Sequence, residues 1–309
     1  MNYLSILVAY LVVLSIHVGI AIGQVEVDIK TDSKPSTIES SPSDDDQLAL
    51  PFFIRLHLIR HGETHANVQN IVLGQGDSPL TENGVSVARL AAASDLINGS
   101  RLKYWRHYCS DLGRGHRTAK IVLGIEKESE NNSIESEASD INLIVDSRLR
   151  ELAKGPREGY SKKYTHEEAI ELRRREAGVT YNDISVPKLE SLDDAYARVV
   201  DWIDSIIEEA SEDYETCRSE GEEDIEPKVY DVFALSHSAL IRTIIHKMVD
   251  NELPVDFDKT KEGSLRIPNL SRTIIDIQPY KSKQWTPSLN RLTDISHLND
   301  VANSGPPYL

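Results

Sequence analysis

The segment Arg60-His61-Gly62-Glu63-Thr64 places an imidazole directly after an arginine, at the end of the apolar run Ile54-Arg55-Leu56-His57-Leu58-Ile59. A neutral imidazole is a nucleophile, and a guanidinium beside it attracts anions. A second histidine, His237, ends a second run, Ala234-Leu235-Ser236. Between them, Arg114 follows Ser110-Asp111-Leu112, and Glu151 follows the segment from Asp146 to Leu149. Displacing a phosphate monoester without a metal needs such a set: a nucleophile, cations around the peripheral oxygens, and an acid for the leaving alkoxide. Each group falls at the end of a predicted strand, so four segments would converge on one sheet edge.

The elements that must position these groups alternate. After the strand over 54–59, Asn83-Gly84 makes a turn and 84–97 has helix-like composition. A strand over 102–109, a helix over 114–123 and a strand over 141–145 follow. Apolar residues recur at three- and four-residue steps from Leu192 through Ala195, Tyr196, Val199, Trp202, Ile203, Ile206 and Ile207, which marks a helix with one inward face. A strand over 230–235, a helix over 238–249 and a closing strand over 273–277 complete the pattern. Such alternation predicts an α/β fold, a three-layer α/β/α sandwich with a mostly parallel central sheet and ligands at the carboxyl ends of its strands. Two polar insertions, 126–140 and 211–227, interrupt it, and the acidic second one reads as a solvated flexible loop.

Composition narrows the functional classes. The chain has 309 residues, a hydrophobic share of 39 % and a formal charge of -16. Its mean hydropathy is -0.37 and its pI about 5.1. Those values suit a packed globular domain and argue against nucleic-acid binding, which needs a basic surface. Cys109 and Cys217 share no metal-ligand spacing and read as two independent thiols. No metal, cofactor or protein partner is called for by the residues. Leu4 to Ile22 is almost wholly apolar, which reads as a signal peptide cleaved near Gly23 or as an anchor holding the chain on a membrane. Either reading sends the chain into the secretory pathway, where Asn98-Gly99-Ser100 and Asn131-Asn132-Ser133 would be glycosylation acceptors. The expected organisation is a leader over 1–23, a disordered linker over 24–50, a catalytic domain over 51–280 and a C-terminal extension over 281–309.

Taken in order, Arg60-His61-Gly62-Glu63-Thr64 with Asn67, Gly74-Gln75 with Ser78-Pro79-Leu80-Thr81 and Gly84, and Ser110-Asp111-Leu112 with Arg114 and Thr118-Ala119 resemble the histidine phosphatase superfamily, in its phosphoglycerate mutase-like branch. Arg148-Leu149-Arg150-Glu151 with Glu158-Gly159, Leu235-Ser236-His237 and Pro268-Asn269 continue the resemblance to about Ile277. It implies that His61 becomes phosphohistidine and that Arg60, Arg114 and His237 clamp the phosphate. It further implies that Glu151 is the general acid, that Asn67 hydrogen-bonds the phosphate, that Gln75 lines the pocket, and that Glu158 is a structural acid. The backbone N–H groups at the start of the helix after His237 would add donors.

Departures from the family pattern narrow the activity. Ser238 follows the second histidine where glycine is usual, which would place the backbone differently against the phosphate. Leu152 stands where mutases carry arginine, and the mutases' tryptophan-rich stretch after Asn67 is missing. Lys162-Lys163 and Arg173-Arg174-Arg175 either meet a second substrate phosphate or form an exposed helix face. The expected function is therefore a metal-independent phosphatase acting on a small phosphorylated metabolite. The alternatives are a phosphoglycerate mutase and a non-catalytic phosphate-binding module.

Overall fold

Strand β1 (Phe52–Arg60) runs through the middle of the molecule, its even-numbered residues Phe52, Ile54, Leu56 and Leu58 buried on one face of the sheet. The computed structural model describes residues 48–94, 103–126, 141–177, 188–220, 227–249 and 265–298. All of them lie in a unit spanning Pro42–Leu309. The leader, both glycosylation triplets and most of the linker fall outside the described residues.

The remaining strands are β2 (Arg106–Cys109), β3 (Leu143–Val145), β4 (Lys228–Ser236), β5 (Arg272–Pro279) and β6 (Trp285–Asp294). Their order is β3-β2-β4-β1-β5-β6. β1, β2, β3 and β4 are mutually parallel, and β5 runs antiparallel to both of its neighbours, β1 and β6. The helices are α1 (His65–Val68), α2 (Glu82–Ala93), α3 (Gly113–Val122), α4 (His166–Ala177), α5 (Leu192–Ser219) and α6 (Ser238–Val249). One face of the sheet packs on α5 and α6 through Trp202, Ile203, Ile206, Leu240 and Ile244, and the other on α2 and α3 through Ala88, Ala91, Ala119 and Val122. This is the α/β/α sandwich expected from the alternation, with a mixed, mostly parallel sheet.

Three boundaries differ from the sequence reading. The sheet continues past 280: β6 pairs with β5 from Pro279↔Trp285 to Arg272↔Asp294. It is an edge strand whose side chains are half-exposed, so its apolar periodicity is weak. The linker ends sooner than 50, because Ala49 bridges Tyr280 and the Leu50 N–H donates to the Pro279 carbonyl at 2.9 Å. The start of the acidic insertion, 211–219, is helical. There α5 keeps Tyr214 against the core, with its ring 5.6 Å from that of Phe52, while Asp213 accepts from Lys228 and Tyr230 of β4 and Glu212 and Glu215 are exposed.

β1 and β4 pair in register up to Arg60↔Ser236, so the residues that follow, His61 and His237, leave adjacent strands side by side. β2 pairs with β4 up to Cys109↔Leu235 and delivers Ser110 and α3 to the same edge. Parallel pairing is what makes four strand ends coincide.

Candidate active site

His61 and His237 emerge from their strands with ring centroids 5.2 Å apart. Both rings are buried, at 3 % and 0 % exposure. His61 Nδ1 lies 2.7 Å from the Gly62 carbonyl oxygen. Only an N–H can bond a carbonyl, so the proton sits on Nδ1 and the lone pair is on Nε2. Burial pushes the His61 pKa well below its ordinary value, and the nearby Arg60 and Arg114 charges push it further. The imidazole is therefore held neutral. His237 is held down likewise by burial, then by His61, Arg114 and Arg60.

The loop after His61 is braced at each residue. The Gly62 N–H donates to Thr118 Oγ1 at 3.0 Å, and that hydroxyl donates to the Arg114 carbonyl at 2.7 Å, joining the His61 loop to α3. Glu63 accepts from Thr81 Oγ1 at 2.8 Å, with Gly84 packed against its backbone so closely that a Cβ there would lie 2.2 Å from the Glu63 carbonyl oxygen. Asn269 Nδ2 donates to the His61 carbonyl at 2.8 Å. Beside it, the buried Leu270 holds a φ of 59°, a left-handed conformation that a leucine adopts only when its surroundings impose it.

Arg114 is 2 % exposed in the first turn of α3, where Nη1 donates to the Gly76 carbonyl at 2.6 Å and Nη2 to the Gly74 carbonyl at 2.8 Å. Arg60 Nη1 donates to the Ile267 carbonyl at 2.5 Å. Burial lowers the Arg60 pKa to about 10, opposed by Glu151 and assisted by Arg114 and Arg242, so it stays charged near neutral pH. Four buried nitrogens belonging to this set, Arg60 Nε, Arg114 Nε and both ring nitrogens of His237, make no hydrogen bond. Buried polar atoms are nearly always paired, so the two Nε–H groups and the single N–H of the neutral His237 are donors open to an anion.

Glu151 is 9 % exposed and reaches the start of α6. Oε1 accepts from the Leu152 and Leu240 N–H groups at 2.9 and 3.1 Å, and Oε2 from the Ala239 N–H at 3.1 Å. The first free N–H groups of α6 thus serve the carboxylate and not a phosphate, contrary to the expectation from sequence. An acidic side chain within reach of a helix N-terminus takes those donors first. Oε2, with a single donor, keeps a lone pair for a proton.

Asn67 completes a capping box with Thr64, its Oδ1 accepting the Thr64 N–H at 3.1 Å and facing Asn269 Nδ2 at 3.5 Å. Gln75 lies beside the acid, its Nε2 donating to the Glu151 carbonyl at 3.4 Å. Ser238 opens α6 half-buried and without the positive φ that would demand glycine, so serine is accommodated there. Glu158 Oε1 accepts from the Gln75 and Lys154 N–H groups at 3.2 and 2.7 Å, a purely structural use. Arg173 is spent on the Pro156 and Glu158 carbonyls and stacks on Tyr160, while Arg174 and Arg175 pair with Glu171. Among the described residues no three His, Cys, Asp or Glu side chains are grouped to hold a metal ion.

A family model described as histidine phosphatase superfamily (branch 1) matches residues 56–286. The chain belongs to that superfamily. Among its histidine phosphatase relatives, the probable phosphoglycerate mutase GpmB of Escherichia coli O1:K1 is 29 % identical over 252 residues, covering 81 % of this chain and 97 % of that one. A phosphoglycerate mutase structure from Bacillus anthracis aligns with 25 % identity and a TM-score of 0.51, over 83 % of this chain and 98 % of its own. A mycobacterial glucosyl-3-phosphoglycerate phosphatase solved with VO3 aligns with 26 % identity and a TM-score of 0.51, over 76 % and 97 %. This member of the superfamily thus has relatives named as phosphatases and as mutases.

Sequence reasoning assigned no part to Arg198, Glu190 or Thr118 as individual side chains. Arg198 had a visible signal, a cation on the apolar face of α5 between Ala195 and Trp202. Thr118 had none, since a hydroxyl on a helix is ordinary.

Proposed function

We propose that this histidine phosphatase is a metal-independent phosphatase that hydrolyses a small phosphomonoester through phosphohistidine at His61. The observation that carries the reading is the buried, unpaired donor set of Arg60, Arg114 and His237 around a neutral imidazole with its lone pair on Nε2. The phosphate monoester enters as a dianion against these donors. His61 Nε2 attacks phosphorus, the P–O bond to the leaving group breaks, and the proton on Glu151 Oε2 passes to the departing alkoxide. In the second half-reaction Glu151 takes a proton from water, whose oxygen attacks the phosphohistidine and releases phosphate.

Leu152 favours phosphatase over mutase. It is 2 % exposed and packed in the core beside Glu151, so no charge stands at that position to hold a rephosphorylated product. The apolar run Leu4 to Ile22 supports secretory entry for the enzyme, either secreted or membrane-anchored.

The test is incubation with p-nitrophenyl phosphate and with 3-phosphoglycerate in the presence of EDTA, alongside His61→Ala. EDTA-resistant phosphate release that His61→Ala abolishes is the expected result. Release surviving the substitution overturns the mechanism, isomerisation of 3-phosphoglycerate without net release makes the enzyme a mutase, and phosphate binding without turnover makes it a binding module.

A further inference from the structure

Arg198 stands on the inward face of α5, three residues after the buried Ala195 and directly before the buried Val199. Its guanidinium makes four hydrogen bonds, two to one short segment and two to Glu190. Nη1 donates to the Arg148 carbonyl and Nη2 to the Arg150 carbonyl, the latter at 2.8 Å. Nε donates to Glu190 Oε1 at 2.8 Å and Nη2 to Glu190 Oε2 at 3.1 Å, which fixes the fork in its plane. Glu190 reaches the other side of the acid, where Oε2 accepts the Ala153 N–H at 3.1 Å and the Glu190 N–H donates to the Ala153 carbonyl at 3.0 Å. Ser236, next to His237, holds the intervening Leu149 carbonyl through Oγ at 2.9 Å. The backbone is therefore gripped on both sides of Glu151, at residues 148, 149, 150 and 153, by side chains that do not touch the carboxylate.

We propose that Arg198, locked by Glu190, is a positioning residue that aims Glu151 at the leaving-group side of the His61 site. The proposal rests on the reading of Glu151 as proton donor. A guanidinium suits the task because its planar fork spans two carbonyls on alternate residues, 148 and 150, which a lysine cannot do. If Arg198 served only to hold α5 on the sheet, its loss would slow every substrate alike. A positioning role depends instead on the leaving group: p-nitrophenolate departs without a proton, whereas phenolate and alkoxides need one.

The test is kcat/KM, which reports only the steps up to departure of the leaving group, for a series of aryl phosphates running from p-nitrophenyl to phenyl phosphate, measured on Arg198→Gln, Glu190→Gln and Glu151→Gln. We expect Arg198→Gln to lose on the order of tenfold or more with phenyl phosphate, within the range of general-acid contributions, and less than about threefold with p-nitrophenyl phosphate. Glu151→Gln should show the same steepened dependence with a larger amplitude. Glu190→Gln keeps the guanidinium on both carbonyls and should show it in weaker form, which preserves the test where Arg198→Gln does not fold. Equal losses across the series, or none, in the Arg198 and Glu190 variants while Glu151→Gln steepens it overturn the clamp alone. A flat series in Glu151→Gln overturns the acid assignment and the proposal with it.

Discussion

Lowering the pH from 7 to 5.5 should destabilise the ligand-free enzyme steeply, because His61 and His237 are buried in neutral form. Burial and the neighbouring arginines depress the pKa values of His61 and His237 well below the 6.5 of an unfolded histidine. The unfolded chain therefore binds more protons than the folded one below that value. Their contribution to stability is fully present above pH 6.5 and is lost as pH falls from there toward the folded values. Each histidine contributes a slope of about 1.4 kcal/mol per pH unit, so the pair gives about 2.7 kcal/mol per unit. In a domain of this size that corresponds to a melting temperature falling by about 5–10 °C per pH unit. His116 and His297 are lowered by burial as well and act in the same direction. The depressed carboxyls Asp111, Asp213 and Asp294 titrate at lower pH and stay out of this window. Thermal melts at half-unit steps, on wild type, His61→Asn and His237→Asn, measure it. Each substitution should remove about half of the pair's slope. A melting temperature that is flat between pH 6.5 and 5.5, or a slope untouched by either substitution, would refute the picture of two neutral buried imidazoles.

Other perturbations probe the scaffold around the site. Gly74→Ala should cost about 2–4 kcal/mol in denaturant unfolding, since Gly74 holds a φ of 53° and a Cβ there would lie 2.0 Å from Glu158 Oε1, displacing the acceptor of two backbone N–H groups. Arg114→Lys should lower kcat/KM by on the order of 10–100-fold, because an ammonium cannot span the Gly74 and Gly76 carbonyls and still meet a phosphate oxygen; retained activity would remove Arg114 from the clamp. Asn269→Ala should lower kcat several-fold while costing about 1 kcal/mol or so in stability, because it frees the His61 carbonyl, not the core. A larger loss of stability than of kcat would make Asn269 merely structural.

What the sequence made legible follows from periodicity and local motif. The buried parallel strands β1 and β4 are long apolar runs, and the inward face of α5 repeats at helical spacing, so both are readable residue by residue. β6 was not, because an edge strand exposed on one side alternates only weakly, and its partner β5 is antiparallel where the pattern elsewhere implied parallel. The site residues that follow strands, His61, Arg114, Glu151 and His237, are legible since strand ends converge by topology. The partition of hydrogen bonds is not. Nothing in the order of residues says that Glu151 and not a phosphate takes the Ala239 and Leu240 N–H groups, or that Arg173 is consumed by carbonyls while Arg60 Nε stays open. Those assignments depend on distances between segments far apart in the chain.

Phosphohistidine formation tests the central claim most directly. The enzyme is mixed with excess p-nitrophenyl phosphate and EDTA, quenched in alkali within one turnover, digested and mapped by mass spectrometry. One acid-labile phosphoryl group on the peptide carrying His61, absent in His61→Ala, is the predicted result; phosphate release without that adduct, or an adduct on a different residue, would contradict it.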